Sequence, residues 1–355
     1  MKIYADNEKL QYSGRIDFDD PKAPVLVYAA SFVRMKFTGT SVKAALRNHK
    51  NYWDNYMGCI IDGTQTKFLL EGDENPHTYV LAEGLGDGVH ELTLFKRMDS
   101  CHTVTFYGFE LDEGARPERQ DPLPARRMEV FGDSVSCGEV SEALAFAGKP
   151  DPEHNGEWSN SWYSYAWMTA RRLGAELHDT SQGGIALLDG TGWFAEPDYR
   201  GMESCYDKIE YHPGLGAVKN WDFESWQPHV VVAAIGQNDS HPEDYMAEDY
   251  GGSRAGHWRR RYEEWVKELM RLYPRAQFIL TTTILEHDPA WDRAIDEVCR
   301  SISDARVHRF YYRRNGAGTP GHIRIPEAEE MAEELSSYIE SLGDIWQEVE
   351  ENDEV

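Results

Sequence analysis

The spacing of apolar residues changes once along the chain, and this change constrains the fold more than any other feature. Residues 1–112 contain many short runs in which apolar and polar residues alternate, separated by turns such as those at Gly39 and Gly63. Alternation with a period of two is typical of strands that bury one face. Many such strands in succession predict an antiparallel β-sandwich over residues 1–112.

Residues 126–343 have a different pattern, in which strand-like runs alternate with helix-like segments. Residues 230–235 form a continuous apolar run that predicts a buried strand, and Trp258, Tyr262 and Trp265 recur at helical spacing further along. Strands that alternate with helices favour a mostly parallel sheet with helices on both faces. We therefore predict an α/β domain over residues 126–343.

Two segments flank this second domain. Residues 113–125 are polar, contain several prolines and lack periodicity, so they are predicted to be a semi-rigid linker. Residues 344–355 are acidic and are predicted to form a frayed tail.

The formal net charge of −26 limits the partners of the chain. A strongly acidic protein is repelled by nucleic acid and by anionic membranes, so neither is expected as a partner. No stretch approaches the ~20 apolar residues of a membrane span, and the N-terminus lacks an apolar leader, so a cytoplasmic location is expected. The 5 cysteines are widely spaced without a Cys-x-x-Cys pair, which indicates neither a disulfide framework nor a zinc site.

A serine follows the first predicted strand of the α/β region. Ser134 comes directly after Gly132 and Asp133, at the carboxyl end of a short apolar run. Open α/β sheets bind ligands at the carboxyl ends of their strands, so Ser134 is a candidate nucleophile. Taken alone, such a sequence is more often a simple turn, and only its combination with other loops favours catalysis.

Three more loops follow predicted strands of the same sheet. Gly183 and Gly184 follow the second strand, where glycine allows a backbone N–H to approach a ligand closely. Asn238 follows the third strand and offers a side-chain amide, and His322 follows the last strand. Together with Ser134, these loops supply a nucleophile, a base and oxyanion donors, which acyl transfer requires. The predicted donors are the Ser134 N–H, the N–H of Gly183 or Gly184, and the Asn238 amide.

These motifs support a resemblance to a known superfamily. The ordered set Gly132-Asp133-Ser134, Gly183-Gly184, Gly236-Gln237-Asn238-Asp239 and His322 resembles the SGNH (GDSL-type) hydrolases over roughly residues 126–343. The N-terminal region is similar to the jelly-roll domain that precedes the SGNH domain in the second carbohydrate-esterase family. That similarity is carried by Phe37-Thr38-Gly39-Thr40-Ser41, Ile61-Asp62-Gly63 and residues 88–97.

The resemblance implies both a fold and an activity. The fold would be a jelly roll followed by a three-layer α/β/α domain. The activity would be that of an acetyl esterase that removes O-acetyl groups from plant-polysaccharide sugars, such as acetylated xylo- or manno-oligosaccharides. No cofactor is implied.

The sequence departs from the superfamily pattern near the histidine. Most members have an aspartate three residues before it, where this chain has Thr319, and no carboxylate lies between residues 307 and 322. By resemblance to members with a Ser-His dyad, we expect a Ser134–His322 dyad in which a backbone carbonyl orients the imidazole. In the second motif Gln182 replaces the more usual serine, and Gly183 is favoured over Gly184 as the oxyanion donor.

The sequence offers only a few candidate residues for contact with a substrate. Trp193 lies in a long aromatic-rich segment at residues 191–228, Trp158 lies in a loop soon after Ser134, and Asp133 precedes the nucleophile. Aromatic faces suit sugar rings, but they could equally pin the segment to the domain. No metal site is predicted, because three further histidines with acidic neighbours match no ligand spacing: His241, His257 and His287. The sandwich shows no pattern of a catalytic site.

Two alternatives to an acetyl esterase remain open. A lipase or thioesterase of the same superfamily would use the same catalytic groups with an apolar acyl groove. A carbohydrate-binding protein with an inactive hydrolase domain is the second, because the usual aspartate is missing at Thr319.

Overall fold

The N-terminal third of the chain forms a sandwich of two antiparallel sheets. The computed structural model describes residues 1–216 and 218–347. The first sheet is formed by β1 (Lys2–Tyr4), β3 (Ile16–Asp17), β4 (Val25–Leu26), β6 (Val42–Lys50), β9 (Pro76–Ala82) and β11 (His102–Leu111). The second sheet is formed by β2 (Gln11–Ser13), β5 (Phe32–Thr38), β7 (Tyr56–Ile61), β8 (Thr64–Leu69), β10 (Val89–Lys96) and β12 (Pro117–Glu118). Their strand orders are β3-β4-β11-β6-β9, with β1 also on β11, and β12-β5-β10-β7-β8, with β2 also on β5.

Burial in the sandwich follows the alternation seen in the sequence. In β5, Val33, Met35 and Phe37 are fully buried, whereas Arg34 and Lys36 between them are partly exposed. Successive side chains of a strand point to opposite faces, so the apolar residues fill the space between the two sheets. The predicted antiparallel sandwich is confirmed.

The predicted linker is partly wrong, because it contributes a strand to the sandwich. Within residues 113–125, Pro117 pairs with Phe37 and Glu118 pairs with Lys36. The strand lies at the edge of its sheet, where a proline without an N–H is tolerated. In the sequence, the prolines of this segment indicate only breaks between elements.

The second part of the fold is built on a parallel sheet. Its strands are β13 (Arg126–Gly132), β14 (Ala175–Ser181), β17 (Val230–Ala233), β18 (Gln277–Leu280) and β19 (Val307–Arg309), in the order β14-β13-β17-β18-β19. All neighbours in this sheet are parallel. A separate antiparallel pair consists of β15 (Lys208–Glu210) and β16 (Lys219–Asn220).

Helices cover both faces of the parallel sheet. They are α1 (Ser134–Cys137), α2 (Tyr165–Leu173), α3 (Met202–Cys205), α4 (Tyr245–Glu248), α5 (Ser253–Leu272), α6 (Pro289–Ile302) and α7 (Ile325–Ser341). Neighbouring residues of β17 point to opposite faces of the sheet. Val232 packs into the core shared with α2 and α7, whereas the preceding residue, Val231, packs into the core shared with α5 and α6. The predicted mostly parallel sheet with helices on both faces is confirmed.

A buried ion pair joins the two domains. Arg15 of the sandwich donates from Nε to Glu129 Oε1 of β13 at 2.9 Å, and both side chains have 0% exposure. Arg15 also donates from Nη1 to the carbonyl oxygen of Tyr206 at 2.6 Å. The sandwich is therefore fixed against the first strand of the parallel sheet, the strand that leads to Ser134.

The acidic tail predicted for residues 344–355 lies mostly outside the described residues, because the structure describes it only as far as residue 347. Within that part, Trp346 packs against the α/β domain, with the Arg126 guanidinium 5.1 Å from its ring. Across the described residues, every helix is too short or too polar to span a lipid bilayer.

Candidate active site

Ser134 lies at the carboxyl end of β13, as the first residue of α1. The turn into this helix needs a residue without a side chain at position 132, because a Cβ on Gly132 would lie 2.0 Å from Ser136 Oγ. Asp133 caps the helix, and its Oδ1 accepts a hydrogen bond from the Val135 N–H at 3.0 Å. This local geometry places the Ser134 side chain at the wall of a cavity of about 790 Å³.

His322 meets Ser134 in this cavity. It lies in the loop between β19 and α7, and its Nε2 is 2.7 Å from Ser134 Oγ, although 188 residues separate the two in sequence. This is hydrogen-bonding distance, the arrangement that lets an imidazole accept a serine proton. The expected approach of Ser134 and His322 is found.

A carboxylate, and not a backbone carbonyl, orients His322, so the predicted form of the dyad is wrong. Asp151 Oδ2 lies 2.6 Å from His322 Nδ1. The other carboxylate oxygen, Oδ1, accepts hydrogen bonds from the His322 backbone N–H at 2.9 Å and from Arg324 Nη2 at 2.7 Å. Asp151 lies in the loop between α1 and α2, outside the stretch just before His322 where the superfamily pattern places the aspartate.

The charges around this group shift the pKa values of both partners. Burial favours the neutral form of Asp151, but hydrogen bonds from His154, His322 and Arg324 outweigh it and hold the pKa of this carboxyl well below its ordinary value. Burial also disfavours the charged form of His322, but the charge of Glu139 and the hydrogen bond to Asp151 raise its pKa above the ordinary value.

The glycine pair lines the same cavity, but the two N–H groups differ. The Gly183 N–H donates to Asp99 Oδ2 at 2.7 Å and is therefore occupied. The Gly184 N–H donates no hydrogen bond within the described residues, and Gly184 has a φ of 72°, which glycine adopts without strain. The preference for Gly183 as the oxyanion donor is thus wrong in this geometry, because a carboxylate of the sandwich already takes its N–H.

Asn238 also lines the cavity. Its Nδ2 donates to the carbonyl oxygen of Ile185 at 3.1 Å and makes a longer contact of 3.3 Å with Asp133 Oδ2. Asp133 itself is 1% exposed and accepts from Gln237 Nε2 at 2.6 Å, so it supports the loop and does not face a substrate. Burial raises the pKa of Asp133 to about 6, against the hydrogen bond from Gln237.

The two tryptophans proposed as substrate contacts have different positions. Trp193 lines the cavity, is 60% exposed, and stacks on His241 with ring centroids 3.3 Å apart. Trp158 is not among the residues that line this cavity, and Lys67 Nζ lies 5.3 Å from its ring. The expected wall at Trp158 is therefore not part of this site.

The sandwich contributes directly to the cavity, which the sequence did not indicate. Asn51, Tyr52, Trp53 and Asp99 line it beside Ser134. All four belong to loops between strands, where the period-two pattern carries no information about position. Their location could not be predicted without knowing how the two domains dock.

One group of described residues has the composition of a metal site. Asp151, His154 and His322 bring potential ligand atoms within 4.8 Å of one another. Asp151 Oδ2 already bonds to both rings, to His322 Nδ1 at 2.6 Å and to His154 Nε2 at 3.2 Å. The carboxylate oxygen that would bind a cation is thus already bonded to two imidazole rings, and we assign no metal to this group.

Both the sequence and the fold are similar to those of known proteins. The family model described as "Carbohydrate esterase 2 N-terminal" matches residues 12–119. The chain is 28% identical to cellulase/esterase CelE of Acetivibrio thermocellus over 347 residues, which make up 95% of this chain and 40% of that protein. The chain thus spans less than half the length of CelE. It is 23% identical to an acetylxylan esterase / glucomannan deacetylase of Cellvibrio japonicus, covering 96% of this chain and 91% of that protein.

The fold is also similar to solved structures. A family two carbohydrate esterase from Clostridium thermocellum, in complex with cellohexaose, matches with a TM-score of 0.79 and 26% identity, covering 95% of this chain and 100% of that chain. The similarity includes both the sandwich and the parallel-sheet domain. The resemblance to the second carbohydrate-esterase family, with its SGNH-like domain, is confirmed.

Proposed function

We propose that this chain, a carboxylic ester hydrolase of the carbohydrate esterase family 2 type, removes O-acetyl groups from oligosaccharides derived from plant polysaccharides. The observation that carries the proposal is the hydrogen-bonded series from Ser134 Oγ to His322 Nε2 at 2.7 Å and from His322 Nδ1 to Asp151 Oδ2 at 2.6 Å. It supports a serine esterase in which Asp151 completes a triad.

In this mechanism Ser134 carries the acetyl group. His322 takes the hydroxyl proton on Nε2 while Oγ attacks the ester carbonyl carbon, and the carbonyl oxygen becomes an oxyanion. The oxyanion collapses, the bond to the sugar oxygen breaks, and the imidazolium returns the proton to that oxygen. Water then repeats the two steps on the acetyl-enzyme and releases acetate. Asp151 holds the ring in the required tautomer and stabilises the imidazolium.

Three donors are proposed for the oxyanion. The Ser134 N–H is at the first position of α1 and has no partner within the helix. The Gly184 N–H and the Asn238 amide line the same cavity. For Asn238, the oxyanion would replace the longer 3.3 Å contact to Asp133. The loss of one such donor typically costs about 2.7–4 kcal/mol in the transition state.

The cavity favours a sugar ester over a long acyl chain. Its volume of about 790 Å³ exceeds the needs of an acetyl group, and the aromatic rings of Tyr52, Trp53 and Trp193 lie among charged and polar residues. Aromatic faces beside polar groups suit sugar rings, whereas a lipase needs a continuous apolar groove. The cellohexaose in the Clostridium thermocellum esterase and the name of the Cellvibrio japonicus relative support a carbohydrate substrate.

The test is acetate release from acetylated xylo- and manno-oligosaccharides by the wild type and by Ser134→Ala. The wild type should release acetate and Ser134→Ala should not, although both should fold. Rates on 4-nitrophenyl acetate and 4-nitrophenyl octanoate should favour the acetate. A preference for octanoate would support the lipase or thioesterase alternative. A wild type that binds the oligosaccharides but releases nothing would support the inactive binding protein.

A further inference from the structure

A second imidazole lies beside the proposed catalytic histidine. His154 lines the same cavity, and its ring centroid is 5.5 Å from that of His322. Its Nδ1 is 2.7 Å from Glu139 Oε1 and its Nε2 is 3.2 Å from Asp151 Oδ2. The pKa values of Glu139 and Asp151 are lowered, so both groups are ionised. Ionised carboxylates only accept hydrogen bonds, so both ring nitrogens must carry protons to satisfy both contacts. The geometry therefore calls for His154 in its imidazolium form.

The groups that face His154 support this form. Hydrogen bonds that His154 donates to Asp151 and Glu139 raise its pKa to about 10, against the effect of burial. Trp53 of the sandwich faces the ring at a centroid distance of 5.4 Å and is uncharged. The cations in this group are His322, when it is protonated, and Arg324, which bonds to the far oxygen of Asp151.

Glu139, which bonds to His154, also lies close to the reacting nitrogen of His322. It is 9% exposed, and its Oε2 lies 3.9 Å from His322 Nε2, the atom that would accept the Ser134 proton. Two carboxylates thus lie against His322, one at each ring nitrogen, and both favour its charged form. A charged His322 cannot act as a base. A nearby cation that offsets these carboxylates therefore favours the neutral imidazole that catalysis requires.

We propose that His154 is a positioning residue: as an imidazolium bonded to both Glu139 and Asp151, it offsets their charge and lets His322 remain neutral when Ser134 reacts. The proposal rests on the proposed esterase function. Its role is separate from that of Asp151, because His154 has no hydrogen bond to Ser134 or His322 among the described residues. The pair Glu139–His154 acts on His322 through charge, and through Asp151, which His154 and His322 share.

The test compares the pH dependence of kcat/KM on 4-nitrophenyl acetate for the wild type, His154→Gln and His154→Lys. His154→Gln removes one positive charge whose ring centroid lies 5.5 Å from that of His322, so the pKa of His322 should rise. The acid limb of the kcat/KM profile should therefore move upward by roughly one to two pH units. His154→Lys keeps the charge and should leave the limb near its wild-type position. The matched control is His77→Gln, which removes another His–Asp contact, 2.7 Å from His77 Nε2 to Asp73 Oδ1, on the surface of the sandwich. It should change nothing.

A second measurement does not depend on activity. In ¹⁵N-labelled protein, both ring nitrogens of His154, identified by the loss of their signals in either variant, should remain protonated at pH 8. A neutral His154 ring at pH 8, or an unmoved acid limb in folded His154→Gln, would overturn the proposal. A wild type without esterase activity would instead contradict the proposed function, and the nitrogen signals would still decide the state of His154.

Discussion

At the scale of single residues, the site depends on a few short contacts made across long sequence separations. Ser134 and His322 could be predicted because each follows a strand and the superfamily pattern names both. Asp151 could not be predicted, because it lies 171 residues before His322 in a loop without periodicity. The superfamily pattern places the carboxylate close to the histidine, whereas folding can supply one from any loop at the same edge of the sheet.

The first prediction concerns Asp151. Asp151→Asn should lower kcat for acetyl ester hydrolysis by roughly 100- to 10,000-fold, because an amide no longer holds the required tautomer or stabilises the imidazolium. Steady-state kinetics on 4-nitrophenyl acetate would measure this. Glu153→Gln is the matched control, since Glu153 is an exposed acid of the same loop and should have wild-type kcat. An Asp151→Asn variant with unchanged kcat would contradict the triad and would support a Ser134–His322 dyad.

The second prediction concerns the pH at which activity is lost. Glu139 and Asp151 raise the pKa of His322 against the effect of burial, and the base must be neutral to accept a proton. Activity should therefore fall as the pH drops through a value above the ordinary pKa of about 6.5. A pH profile of kcat/KM would measure this midpoint, and a midpoint below pH 6 would contradict the charge arrangement described for His322.

At the scale of elements, the cavity is assembled from loops of both domains. The sequence predicted the order of strands and helices, because burial alternates along β5 and is continuous along β17, as their apolar patterns required. It did not predict that the loop after β10 reaches the glycine pair. There Asp99 Oδ2 accepts from the Gly183 N–H and from Gln182 Nε2, each at 2.7 Å. No pattern in either loop signals the other.

The third prediction tests this contact between elements. Asp99→Ala should lower kcat by roughly 10- to 100-fold with a smaller change in KM, because the loop that carries the Gly184 donor loses its anchor. Asp87→Ala, at an exposed position of the sandwich, is the control and should leave kcat unchanged. If Asp99→Ala folds and retains wild-type kcat, the sandwich does not position the oxyanion donors.

At the scale of the whole molecule, the sandwich and the parallel-sheet domain share a buried charge. Arg15 and Glu129 are both fully buried, with Arg15 Nη2 2.8 Å from Glu129 Oε1. The guanidinium also lies 5.4 Å from the ring of Phe131, two residues along the same strand. The fold of each domain could be predicted from its own pattern. The docking of the two domains could not be predicted, because it depends on contacts between individual residues, such as Arg15 and Glu129, that neither pattern identifies.

The fourth prediction follows from this buried pair. Glu129→Gln should lower the free energy of unfolding by about 3–5 kcal/mol, because it leaves the Arg15 charge buried without its partner. Urea denaturation would measure the change. Glu91→Gln is the control, since it breaks the exposed pair with Lys36 and should cost about 0–1 kcal/mol. Equal effects of the two substitutions would show that the interdomain pair contributes no more than a surface pair.

The proposed mechanism depends on Ser134 as the residue that carries the acyl group. The most direct measurement is peptide mass mapping after reaction with diethyl 4-nitrophenyl phosphate, which phosphorylates activated serines. The label should appear on the peptide that contains Ser134 and should be absent in Ser134→Ala. Acetate release by the wild type should fall in proportion to the labelled fraction. A label on another residue that abolishes acetate release, with Ser134 unmodified, would contradict the account.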